Sequence, residues 1–156
     1  MNHANPADHA TRARYLRPIK VATLFTVGAE LLLLLYYGIY LSDEGSLVYK
    51  VLWTLGFCGL GMGFSVGAIL DLFVVDRMRP AAAIAATAVT STLTLGVACN
   101  ALCMVLDRHY RYFGGADDPY LHFLPSFFAS IVGGILVGWL LFTPRGVSWL
   151  NRIGID

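Results

Sequence analysis

Residues 47–75 read LVYKVLWTLGFCGLGMGFSVGAILDLFVV, an apolar run from Leu47 to Val75 broken only by the charges of Lys50 and Asp71. A helix of about 20 apolar residues crosses a hydrocarbon core roughly 30 Å thick, and this run is longer. Similar runs lie on either side of it, at Val21–Leu41, Ala81–Leu106 and Phe123–Phe142. In lipid every backbone N–H and C=O must be satisfied internally, which leaves helices or a closed barrel, and the alternation of a barrel strand is missing. The expected fold is an all-α integral membrane four-helix bundle with antiparallel up-down topology.

Composition points the same way. Hydrophobic residues make up 57% of the chain and charged residues 13%, whereas soluble domains carry charge on about a quarter of their residues. Mean hydropathy is +0.65. The formal net charge of +1 gives no basic footprint for nucleic acid, so the first partner is membrane lipid. The charges are unevenly placed. Arg12, Arg14, Arg17 and Lys20 precede the first run, Arg77 and Arg79 separate the second from the third, and Arg145 and Arg152 follow the fourth. The other two connections set Lys50, Arg108 and Arg111 against Asp43, Glu44, Asp107, Asp117 and Asp118. Cytoplasmic loops are enriched in Lys and Arg, so both termini are expected in the cytoplasm, with the chain in a plasma or bacterial inner membrane.

This layout divides the chain into a polar and basic N-terminal segment (1–20), a transmembrane region (21–143) with spans near 21–41, 47–75, 81–106 and 123–142, an outer loop (107–122) and a C-terminal tail (144–156). Within the first segment, Met1–Thr11 reads as a tail and Arg12–Lys20 as an amphipathic lead-in. The first apolar run resembles a signal peptide in following a basic stretch. It is too long for one, holds Glu30 at its centre and meets no small-residue cleavage site before Asp43, so it reads as a retained span. Pro80 and Pro125 suit first turns of the third and fourth helices, while Pro144 and Gly146 read as the end of the fourth.

Small residues recur every fourth position in three of the spans: Gly59, Gly63 and Gly67; Ala88, Thr92, Gly96 and Asn100; Ser126, Ser130, Gly134 and Gly138. Four-residue spacing puts each set on one helix face. Such faces let backbones approach closely, and that packing associates helices in lipid, where the hydrophobic effect cannot act between them. Helix packing is the expected role, ahead of a groove for a flat cofactor or lipid tail. The first span is bulkier, with Leu31–Leu35 followed by Tyr36, Tyr37 and Tyr40, a surface for lipid or a partner subunit.

Among intramembrane polar residues, Glu30 is foremost. It follows Lys20 by about ten residues, which at roughly 1.5 Å per residue places it near mid-membrane, where ionisable groups face the bundle interior and are often functional. Asp71 lies closer to the inner basic residues, within reach of an ion pair with Arg77, Arg79 or Lys20. Asn100 is expected to hydrogen-bond across a helix interface. In the outer loop, His109, Tyr110, Tyr112, Asp117, Asp118 and His122 are candidates for partner or ligand contact, although their spacing matches no metal motif. Gly114-Gly115 and Asp118-Pro119 are turn chemistry that presents the aromatics. Cys58, Cys99 and Cys103 all fall inside spans, where cysteine packs as a small apolar side chain.

No nucleotide-binding glycine loop, triad order or HExxH helix occurs, so no catalytic residue, metal or cofactor is assigned and a chain without catalysis of its own is favoured. The foremost functional expectation is an accessory or assembly subunit of a larger membrane complex, joined to other membrane subunits through helix packing and the aromatic outer loop. The alternative is a small homo-oligomeric proton- or cation-coupled transporter or channel using Glu30 and Asp71. A third is a membrane oxidoreductase or quinone-binding unit using His109 and His122. No histidine lies within a span to ligate haem there.

Overall fold

The computed structural model describes residues 6–37, 48, 51–102, 104–105 and 120–155, with side chains at 16–32, 35, 48, 51–102, 104–105, 124 and 126–155; among them the chain is helical, without strands. The helices are α1 (Pro6–Tyr37), α2 (Leu52–Phe73), α3 (Pro80–Leu102), α4 (Tyr120–Phe142) and α5 (Pro144–Arg152). α2 and α3 are each long and apolar enough to cross a membrane. Ser126–Phe142 of α4 joins them if it forms, with α5, one span bent by 84°.

Helix ends follow local chemistry. Pro80 sits in the first turn of α3 after an extended Arg79 (ψ 151°), a position where its missing N–H costs nothing. The turn between α2 and α3 places Asp76 at φ 59°, a left-handed conformation that the short polar Asp side chain tolerates. Pro144, expected to end the fourth helix, instead opens α5. Thr143 caps α5 by accepting a hydrogen bond from Gly146 N at 3.1 Å, and its hydroxyl also donates to Trp139 O at 2.8 Å. One side chain thus closes α4 and starts α5. The far end of α5 has Gly154 at φ 78°, with Ile155 N bonded to Leu150 O and Gly154 N to Asn151 O. These are the paired bonds of a Schellman motif.

Other boundaries also move. α1 runs without a break from Pro6, so part of the stretch read as a polar tail is helical, and Pro18 lies inside the helix. α4 begins at Tyr120, ahead of Pro125. α2 and α3 are wound with i→i+5 bonding over Leu52–Gly61 and Thr92–Cys99, a π form that is rare and short in most proteins.

The helices pair unequally. α1 packs mainly on α2 and α3 mainly on α4, whereas α2 meets α3 more sparingly. The apolar core gathers all five helices near the α2–α3 turn: Val21 and Ala22 from α1, Val66 and Leu70 from α2, Ala83 from α3, Val137 and Leu141 from α4, and Leu150 from α5, with Val74 of the turn. Leu70 and Leu150 are 0% and 1% exposed. α5 therefore folds across the end of the other helices, and Arg17 Nη2 donates to Asn151 Oδ1 at 2.7 Å to join the two ends of the chain.

Candidate functional site

Two close-packed seams hold most of the candidate residues whose side chains are described. In the α1–α2 seam, a Cβ added at Gly59 would lie 3.2 Å from Val27 Cγ2, one at Gly63 would lie 2.8 Å from Thr23 Cα, and one at Gly67 would strike Ile19 Cα. Residue numbers rise along α1 as they fall along α2, so the pair is antiparallel. In the α3–α4 seam, a Cβ at Gly138 would meet Ile84 Cα at 2.9 Å, one at Gly134 Ala88 Cα at 2.7 Å, and one at Gly96 would strike the Ser130 hydroxyl. Asn100 and Ser126 continue that seam in the same antiparallel register. Gly133, on another face of α4, meets the Phe25 ring of α1, a joint between the two pairs that the four-residue pattern does not reveal.

Polar groups in these seams are largely engaged within the protein. Thr26, Thr87, Thr92 and Thr94 each donate to the carbonyl four residues back at 2.7 Å, and Ser65 does so at 2.8 Å. Ser130 donates to Phe127 O at 2.6 Å. Such back-bonding satisfies a hydroxyl without water. Asn100 Nδ2 donates to Gly96 O at 2.8 Å and to Ser126 Oγ at 3.0 Å, and Ser126 Oγ lies 3.1 Å from Asn100 Oδ1. The amide bridges α3 to α4.

The two carboxylates lie apart. Glu30 is half-buried one turn beyond the Val27–Gly59 contact, and Asp71 is half-buried one turn beyond Gly67 at the other end of the seam. Their separation along the helix axis is on the order of 20 Å, so they do not form one chelating or proton-sharing site. Asp71 Oδ1 is buried without a hydrogen-bond partner, as are Thr23 Oγ1 and Arg17 Nε, which belong to α1 of the same pair.

Cys58 and Cys99 come together across the sparser α2–α3 contact. Their sulfurs lie 2.8 Å apart, both residues are buried, and neither is in a disulfide. The sequence signal for this meeting is their similar distance from the Asp76–Arg79 turn, on two antiparallel helices. The expectation that the cysteines pack as small apolar side chains does not include this contact.

His109, Tyr110, Tyr112, Asp117 and Asp118 lie outside the described residues; His122 belongs to α4 by its backbone, with its side chain also outside the description. Among the described residues no three His, Cys, Asp or Glu side chains gather as a metal site. No known protein family, curated protein or solved structure matches this chain.

Proposed function

We propose that this chain is a four-span membrane protein of antiparallel up-down topology, with both termini in the cytoplasm, and that it serves as an accessory or assembly subunit of a larger membrane complex. The observation that carries this reading is the contrast between a closed interior and a broad apolar exterior. Inside, backbones meet at the glycines and most described hydroxyls bond their own helices. Outside, Leu24, Leu32 and Leu35 of α1, Leu52, Phe64 and Leu72 of α2, Val89 and Leu93 of α3, and Phe128 and Val132 of α4 are all more than half exposed. Apolar side chains exposed in such number belong against lipid or a partner chain. The glycine stripes are occupied within the chain, so partner contact falls to these bulky faces and to the outer loop.

Purification from the native membrane in mild detergent, followed by identification of co-purifying chains, tests the reading. A stoichiometric partner supports it, and a homogeneous self-oligomer without partners rejects it. Labelling of either terminus from outside the cell rejects the topology.

One observation favours a second reading, coupled transport: the buried Asp71 Oδ1 has no hydrogen-bond partner, a state suited to a carboxyl that exchanges a proton or cation. This reading expects Asp71→Asn to abolish coupled flux by a folded protein. Normal flux in that variant excludes it.

A further inference from the structure

We infer that Cys58 and Cys99 form an oxidisable dithiol, a modification site at which a small uncharged hydroperoxide joins α2 to α3 through a disulfide. The sulfurs lie 2.8 Å apart, within about 1 Å of the ~2.05 Å covalent S–S length. The Cys99 thiol donates to the Cys58 sulfur across the helix interface. Both residues lie in the π-wound stretches, Cys58 in Leu52–Gly61 and Cys99 at the end of Thr92–Cys99. The pair also sits where the two helix pairs meet more sparingly than the helices within each pair, so a bond there ties together the parts of the fold least joined by packing.

The surroundings select the oxidant. Cys58 and Cys99 are 4% and 5% exposed, which shuts out in-line attack on a protein disulfide or on charged glutathione disulfide. A hydroperoxide is small and neutral enough to enter. One thiol sulfur attacks a peroxide oxygen; the O–O bond breaks, a sulfenic acid forms and water leaves. The second sulfur then attacks the sulfenic sulfur; the S–O bond breaks, the S–S bond forms and a second water leaves. The sulfur pair loses two electrons, the peroxide gains them, and both thiol protons end in water. This chemistry is independent of whether the chain has a partner subunit.

The test uses the full chain in its membrane, exposed to hydrogen peroxide and then unfolded and tagged with a maleimide polymer that counts free thiols on a gel. The chain has three cysteines, so the untreated protein takes three tags. Peroxide is expected to reduce this to one, with reductant restoring three and peptide mapping joining Cys58 to Cys99. Cys103→Ser is expected to go from two tags to none, while Cys58→Ser and Cys99→Ser each keep two. Retention of three tags by the native chain after peroxide overturns the inference, as does a crosslink that maps to Cys103. Equally fast oxidation by glutathione disulfide overturns the assignment of the oxidant.

Discussion

Replacing Gly67 by alanine puts the α1–α2 seam to a quantitative test. The new methyl would strike Ile19 Cα and lie 2.9 Å from both Ile19 N and Pro18 O. These are all backbone atoms, so no rotamer change relieves the overlap and α1 must move away from α2. The displacement also loosens the contacts at Gly63 and Gly59. Overpacking costs about 1–3 kcal/mol, and a rigid backbone neighbour places Gly67 at the upper end. Alanine's better helix propensity offsets about 1 kcal/mol, which leaves a net loss near 2 kcal/mol. Gly28→Ala is the control. It lies in the same helix pair, and its added Cβ meets nothing within 4 Å, so it should gain about 0.5–1 kcal/mol from propensity alone. Two chemically identical substitutions should therefore differ by about 3 kcal/mol. Reversible unfolding in mixed micelles, titrated with denaturing detergent and followed by far-ultraviolet circular dichroism, measures the difference. Equal stability of the two variants, or a more stable Gly67→Ala, would refute close backbone packing at this seam.

Gly134→Leu, whose side chain would enter the backbone of α3 at Ala88, should lower the yield of folded protein far more than substitution of His109 or His122; comparable yields would contradict the α3–α4 contact. A double-mutant cycle on Asn100→Leu and Ser126→Ala should return a coupling of about 0.6 kcal/mol and no more than about 1.7 kcal/mol, the range for interhelical hydrogen bonds in membranes. Zero coupling would mean that each residue acts alone. Thr143→Ala removes the cap of α5 and should cost about 1 kcal/mol. Faster amide exchange confined to α5 is its expected signature, and unchanged exchange there would show that Leu150 burial alone holds the helix.

Much of the helical character can be read from the sequence because it follows from composition and local chemistry. The run around Gly59, Gly63 and Gly67 is apolar enough to cross a membrane whatever its neighbours do, and Pro80 starts a helix because its ring suits a first turn. Other local signals mislead when a proline permits two outcomes. Pro144 marks both the end of α4 and the first turn of α5, and the Thr143 hydroxyl together with burial of Leu150 decides for a second helix. Pro18 lies inside α1, which continues through it, with its carbonyl against Gly67.

That apolar helices lined with small residues build this protein can be read without coordinates, because helix formation and hydropathy depend on residues close together in the chain. Four-residue spacing likewise marked which faces carry glycine. Which face meets which emerges from the packed fold: Gly67 against Ile19, Gly134 against Ala88, Gly133 against Phe25, and the sulfur of Cys58 beside that of Cys99. Those pairings depend on how far each helix slides and rotates against its neighbour, and on the π winding that shifts side-chain register along α2 and α3. Periodicity within one helix carries no information about either.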